Sequence, residues 1–542
     1  MKTVVLSDMA RVLASEIPAR YAPVNVLNAF DGECCAFQIA YQGEEAEWFQ
    51  SFRVQVESAL PFDVYRVRDV AVQWPCAPSD DMDYLRKEPG LLPDFLEPLA
   101  AGCPCDPQSR WQSLFFLCEK AVPGVHTVTV TLTDASDGHV MARDTLTVRV
   151  SRQALPPQTL TYTRWFHCDC LASYYNVPPL SEAHWTLMER FLSKAAQRGM
   201  TMVLTPIHTP PLDTAVGTER PTVQLVDVTV GDDGGYAFGF EKLDRWVAMC
   251  RRCGIEKFEM AHLFSQWGLK AAPKIVAALP GGETRRIFGW DTPSDGDYLH
   301  FLDSYLPALG AHLKALGIAD QVFFHVSDEP GEQDIALYKR LKAHVQALLP
   351  GFHFIDAMSD IAFYNEGAAE HPIPANDHLE PFLAAGVPDL WTYYCCGQQY
   401  LVPNSFIAMP GERVRALGVL LYMHNLKGFL QWGYNFYYGR ISYYPLDPYR
   451  TADGDGTWPA GDPFIVYPSR TGEALDSLRH IATQKALEDY RALCLAESRL
   501  GREKTRALVM EGVAAPMTFT CYPRNEQYFL NLRARLADAL DA

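Results

Sequence analysis

Near residue 155 the hydrophobic period of the chain changes, and that change limits the folds open to it. From about residue 160 onward, short apolar runs alternate with amphipathic segments. The runs are Tyr162–Cys168, Met202–Pro206, Lys257–Leu263, Val322–Asp328, His353–Ala357, Leu390–Cys395, Gly428–Trp432 and Phe464–Tyr467. Short continuous apolar runs fit strands buried on both faces. Between them the spacing predicts helices over Ser181–Gln197, Leu243–Cys253, Asp297–Leu316, Asp334–Leu349 and Glu412–Asn425, and Leu475–Leu495 closes the series. Eight strands with helices between most of them predict a (β/α)8 barrel of the TIM type, spanning 160–500. Long irregular segments follow several strands, with Thr209–Phe240 the longest, and long loops gathered at one barrel end usually build a binding site.

Residues 1–155 read differently. Cys35–Tyr41, Phe52–Val56 and Gly124–Thr133 alternate apolar and polar side chains, and Asp137-Gly138 forms a turn signal before Asp144–Val150. Period two with hairpin turns predicts an antiparallel β-sandwich. Leu155-Pro156-Pro157-Gln158 is the expected linker. The tail, 503–542, offers a strand at Ala507–Met510 and a helix at Glu526–Leu540, expected to pack on the rest. The expected class is therefore multidomain, an all-β sandwich followed by an α/β barrel.

Composition bears on partners. A net charge of −18 disfavours nucleic acid and anionic membranes and favours a neutral substrate. The 14 cysteines lack framework spacing and are expected to be reduced thiols. The N-terminus lacks a sustained apolar h-region, and no stretch is apolar enough to span a bilayer, so the expected location is cytoplasmic. Cys250-Arg251-Arg252-Cys253 stands without a second pair, which argues against zinc. His167-Cys168-Asp169-Cys170, read as a strand, points His167 and Asp169 to one side and both cysteines to the other. No metal and no cofactor are expected.

The run Gln321-Val322-Phe323-Phe324-His325-Val326-Ser327-Asp328-Glu329-Pro330-Gly331 carries the most chemistry. An apolar strand ends in two adjacent carboxylates and a Pro-Gly stop. Buried carboxylates are costly unless used, and two acids are what glycosidic cleavage needs. The carboxyl end of a barrel strand is where such chemistry sits. Neighbours on a regular strand face opposite ways, so the chain must bend for both acids to serve one site.

Several phrases, in this order, resemble glycoside hydrolase family 123. They are Trp165–Asp169, Thr209–Thr214, Gly217–Thr222, His262–Gly268, Ser327–Pro330, Gln431–Asn435 and Leu487–Tyr490. The likeness runs from about Thr161 to Leu495. That family is known for β-N-acetylgalactosaminidases that use substrate assistance, in which the sugar's acetamido oxygen attacks the anomeric carbon. The resemblance implies Glu329 as acid/base and Asp328 as the carboxylate that orients the acetamido group. It implies a glycan substrate, cleaved with retention. Two alternatives stand beside it: a glycosidase of this fold acting on a sugar without an N-acetyl group, and a sugar-binding protein without catalysis.

Other strand-end residues are candidates for substrate contact. Trp432 could floor the sugar, with Tyr434 and Asn435 at its rim. Tyr393 or Tyr394 could meet the acetamido oxygen, and strand alternation lets only one face inward. His167 and Asp169 could bind hydroxyls or form a satisfied buried pair. His262 and Trp267 could wall the pocket or merely pack. Asp213 and Arg220 are expected to pair and shape the second loop. Asp356 and Asp360 are reserve acids.

Overall fold

The computed structural model describes all 542 residues. Two sheets form the N-terminal part. One has five strands in the order 2–7, 35–42, 112–118, 63–72, 90–98, and the other four in the order 26–31, 140–154, 124–134, 52–57. Phe37, Ile39 and Phe116 of the first sheet share a buried core with Val128, Val130, Leu146 and Val148 of the second. Phe37 stacks on Phe116 at 4.6 Å. One pair departs from the expected antiparallel pattern: Val26–Asp31 runs parallel to Val140–Ala154. The long strand ends at Ala154, directly before the Pro-Pro linker.

Beyond the linker lies a parallel sheet of seven strands. Its order is His353–Phe354, Val322–Phe324, Lys257–Met260, Met202–Thr205, Thr161–Arg164, Gly428–Gln431, Trp391–Tyr393. A short parallel pair, Asp356–Ala357 with Pro372–Ile373, continues from the first of these, and a parallel bridge joins Ala375 to Tyr393 in the last. Helices Glu182–Gln197, Glu241–Cys253, Asp297–Ala315, Ile335–Leu348, Gly411–Met423 and Leu478–Leu500 lie between or after the strands. Ser181 caps the first of them, accepting from the His184 N–H. No helix is long and apolar enough to cross a membrane.

Two expected strands fail, and a third ends early. Phe464–Tyr467 does not join the parallel sheet; only Tyr467-Pro468 pairs, antiparallel, with Ala474-Leu475. All four residues are at most 1% exposed, so their apolar character reflects burial of a connecting segment. The strand actually present, Pro372–Ile373, was hidden by prolines at 372 and 374 that supply no N–H. Ala507–Met510 belongs to a helix, Arg502–Met510, that buries Thr505 and Val509 four residues apart. The first strand of the parallel sheet stops at Arg164, and His167 stands at the N-terminal boundary of a short helix, Cys168–Tyr175, so strand alternation does not govern His167 to Cys170.

The N-terminal sheets dock on the later helices through buried ion pairs. Arg479 grips Asp94 through two bonds of 2.8 and 2.9 Å. Arg198 spans Glu119 and Asp476, and Lys485 meets Glu33. Such pairs give a docked interface a fixed geometry, because either charge left alone would be strongly destabilising.

Candidate active site

Strand Val322–Phe324 ends four residues before the acid pair, and a hydrogen-bonded turn carries the chain from Val326 to Glu329. Asp356 holds the start of this turn. Its carboxylate accepts from the Val326 N–H at 3.0 Å, the Ser327 N–H at 3.3 Å and the Tyr338 hydroxyl at 2.6 Å. The Ser327 hydroxyl donates to the Ser265 carbonyl at 2.9 Å. The Asp328 carbonyl accepts from the Trp267 N–H at 3.1 Å, and the Glu329 N–H donates to the Ala357 carbonyl at 3.1 Å. Glu329 takes φ +46°, a left-handed conformation costly for a side chain with a Cβ. Here is the bend that two neighbouring acids require, and both line one cavity of about 440 Å³.

The acids have different partners. Asp328 is buried and accepts from the Gln266 amide at 2.7 Å. Burial, with the nearby charges of Glu329 and Asp213, holds its carboxyl well above the usual carboxylate range. Glu329 is half-buried and accepts from the Tyr393 hydroxyl at 2.6 Å. Asp213 is a third carboxylate in the cavity wall. Burial pushes it up to about 7; Arg220 opposes this and Glu329 adds to it. Its Oδ2 has no hydrogen-bond partner. Gln266 ties the two aspartates together, since its Oε1 accepts from the Asp213 N–H at 2.9 Å while its amide serves Asp328.

Indoles supply the apolar wall: Trp165, Trp267, Trp432 and Trp458. The Trp432 N–H donates to Asp462 at 2.8 Å, and its ring lies 4.9 Å from that of Trp458. Trp267 is 52% exposed at φ +58°, followed by Gly268 and Leu269, which also have positive φ. Trp267 and Leu269, which carry a Cβ, are strained there, and the Trp267 side chain lines the cavity.

A buried ionic layer underlies the site. His325 lies 3.0 Å from Glu259 and 3.4 Å from Asp356. Burial alone would strip its proton, but the two carboxylates outweigh that and push it up to about 9. Glu259 also accepts from the Trp165 N–H at 3.2 Å and from Thr163. His262 stacks on His325 at 4.2 Å with planes 18° apart, and neither of its ring nitrogens has a partner. His262, His325 and Asp356 bring potential ligand atoms close together. Lone pairs on stacked imidazoles lie in nearly parallel planes, however, and do not converge on one ion.

The structure sorts the other candidates. Trp267, Tyr393 and Trp432 line the cavity beside Asp328 and Glu329. Tyr394, on the alternate face, is buried against Phe429 at 4.8 Å. The Tyr434 hydroxyl donates to the Phe191 carbonyl at 3.1 Å, away from the cavity. Asn435 is consumed by the His167 backbone, accepting from its N–H and donating to its carbonyl. His167 donates from Nε2 to the Trp432 carbonyl at 2.8 Å and accepts at Nδ1 from Arg220. Burial and that guanidinium lower it to about 3, so it is neutral. The expected Asp213–Arg220 pair does not form. Arg220 instead makes a two-pronged bond to Asp169, 2.7 Å from Nε, which leaves the Asp213 carboxylate facing the cavity. Asp356 is spent on the turn, and Asp360 lies in a more open hollow beside Glu329. Asp213, Gln266, Trp165, Trp458, Cys395 and Cys396 line the cavity although sequence reasoning did not name them as contacts. Gln266 had a usable signal, since it precedes Trp267 in a loop directly after a strand.

The model of the glycoside hydrolase 123 catalytic domain matches residues 165–496, more than half of the 542. The chain belongs to glycoside hydrolase family 123. Among solved structures it is similar to a family 123 glycoside hydrolase from Clostridium perfringens, described for its hydrolysis of glycolipid glycans. The likeness covers 100% of this chain and 98% of that one, at 14% identity and a TM-score of 0.74. Two weaker likenesses are a β-glucuronidase from Bacteroides uniformis (11% identity, 82% of this chain and 50% of that one, TM-score 0.32) and a family 5 mannosidase from Rhizomucor miehei (13%, 65% and 96%, 0.35). No curated protein matches the chain.

Proposed function

We propose that the protein is a retaining exo-glycosidase that removes terminal β-linked N-acetylgalactosamine, or a related N-acetylhexosamine, by substrate-assisted catalysis. The single observation that carries this is the left-handed turn at Glu329, which directs two sequence-adjacent acids into one indole-walled cavity. In this reaction the acetamido oxygen attacks C1 while Glu329 protonates the departing glycosidic oxygen. Asp328 accepts the acetamido N–H and offsets the positive charge of the oxazolinium ring. Water then adds to C1, Glu329 takes its proton, and the β configuration is restored. Asp328 and Asp213 are both buried at one cavity and both held above the usual carboxylate range; an approaching N–H and a cationic ring favour the ionised form of Asp328.

The parallel pairings, with Pro372–Ile373 as the missing member, support an eight-stranded (β/α)8 ring as the catalytic domain. The sandwich is proposed to brace it. All 14 cysteines are unpaired thiols, in keeping with a reducing, cytoplasmic setting.

Leaving-group dependence tests the acid role. Glu329→Gln should lose activity on poor leaving groups far more than on activated aryl glycosides, and NMR should show the β-anomer released first. Equal loss on both substrate types would remove the acid role from Glu329, and release of the α-anomer would refute the assisted route. A second reading rests on Asp213, whose unpartnered Oδ2 would serve as the extra carboxylate for a sugar lacking the N-acetyl group. Turnover of plain aryl galactosides, unaffected by a thiazoline analogue of the acetamido sugar, would favour it.

A further inference from the structure

The opposite end of the parallel ring carries a second hollow, of about 900 Å³, that the glycosidase chemistry does not use. It lies where strands begin. Thr161, Lys257, His353 and Trp391 each open a strand, Phe323 is second in its strand, and Lys427 immediately precedes Gly428–Gln431. The amino-terminal face of such a ring ordinarily serves stability, so charged and aromatic groups gathered around a hollow there need a reason.

Thr161 touches both lysines of the wall, the side chain of one and the backbone of the other. The Lys257 ammonium donates to the Thr161 hydroxyl at 2.6 Å, and the Thr161 N–H donates to the Lys427 carbonyl at 3.0 Å. The Lys427 ammonium bonds only the Asn425 amide oxygen, at 2.9 Å. Neither lysine has a carboxylate within ion-pair distance, although the chain carries a net charge of −18. Asp389 is the one acid in the wall. Lys257 is half-buried, and burial without a counter-charge disfavours its ammonium. An arriving anion would relieve that cost.

The floor is aromatic and purpose-fitted. Phe323 lies 5.4 Å from the His353 ring, 28° from parallel, and 5.9 Å from Trp391. Trp391 has its seat because its partner in the next strand is Gly428. A Cβ at 428 would fall 2.0 Å from the indole. Apolar walls with a few convergent polar groups define small-molecule sites.

We propose that this hollow binds a planar organic anion, its acid group held by Lys257 and Lys427 and its ring laid against Trp391 and Phe323. Calorimetric titration of the full chain with phenyl phosphate and with benzoate tests this. At least one should bind saturably at a single site, and the tighter of the two identifies the acid group. Inorganic phosphate and phenol should each bind about tenfold more weakly, since each supplies half of the contact. Lys257→Gln with Lys427→Gln should weaken binding by about tenfold or more, the loss expected for removed charge-assisted bonds, while aryl glycoside hydrolysis stays at the parent rate. Lys427→Gln alone, at an exposed position, carries the same test if the double variant does not fold. No binding of either probe, equal binding of inorganic phosphate, or binding unchanged in the folded variants would overturn the proposal.

Discussion

The Tyr393 hydroxyl donates a 2.6 Å hydrogen bond to Oε1 of Glu329, and both side chains face the same cavity. Adjacent Tyr394 points the other way, into the packing around Phe429. The phenol therefore fixes the carboxyl that, in the proposed reaction, must first give a proton and then take one. Tyr393→Phe keeps the ring and removes this bond. A hydrogen bond to an ionisable partner is worth roughly 1.5–3 kcal/mol, so kcat should fall by about 10- to 100-fold with a smaller change in KM. Steady-state kinetics on an aryl N-acetylgalactosaminide checks this, and an unchanged kcat would remove Tyr393 from the acid's support.

Gln266 favours the ionised form of Asp328. Burial and the neighbouring acids raise the Asp328 carboxyl, while the Gln266 amide works against them by favouring the ionised form. Gln266→Leu removes that donor, so Asp328 should hold its proton to higher pH. Because the proposed role needs the ionised carboxylate, the acidic limb of kcat/KM should move upward in pH and the neutral-pH rate should drop. A limb that stays in place would show that Asp328 ionisation does not control the rate.

Much of this site is legible from sequence, for physical reasons that differ by residue. Met202–Thr205 and Gly428–Gln431 are readable because fully buried parallel strands are continuous apolar runs. The Asp328-Glu329 pair is readable because two acids following such a run are chemically expensive. Asp213 is misread because a carboxylate and an arginine in one loop look like partners, whereas Arg220 is claimed by Asp169 from a helix about fifty residues earlier in the chain. His262 has the right position in its loop, but the His325 stack buries it. Pro372–Ile373 escapes because two-residue strands carry almost no period, and Phe464–Tyr467 takes its place because buried connections are as apolar as strands.

Stability should be greatest in mildly acidic solution. Burial raises Asp213, Asp462 and Glu412 to about 7. Acids raised in the folded state bind protons more tightly there than when unfolded, so stability is lost as pH climbs from about 4 through 7. His325, raised to about 9, gives stability that is complete below its ordinary 6.5 and is lost as pH rises through 9. Glu33 works in the opposite sense: despite its burial, Arg533 and Lys485 lower it to about 2, so its contribution is lost as pH falls from about 4.5 toward that value. Calorimetry across pH 3–10 should find the highest Tm between about pH 4.5 and 6.5. Asp213→Asn, freed of the ionisation cost, should exceed the parent by on the order of 4 kcal/mol at pH 8 and match it near pH 4. A parent Tm that rises from pH 6.5 to 9 would contradict these signs.

Trp267 offers a test of strain held for binding. Its φ of +58° disfavours any side chain with a Cβ by about 1–2 kcal/mol, a cost that the buried half of its ring offsets. The exposed half is free to be covered by a sugar. Trp267→Gly should relieve the backbone and lose modest packing, leaving stability within about 1 kcal/mol of the parent. The Trp267 N–H that holds the Asp328 carbonyl belongs to the backbone and survives the change. The loss should therefore fall on binding, with KM rising by about tenfold, as removal of one aromatic contact predicts, and kcat changing less. If kcat collapses instead while Tm holds, Trp267 acts on the position of Asp328 and not on the grip of the sugar.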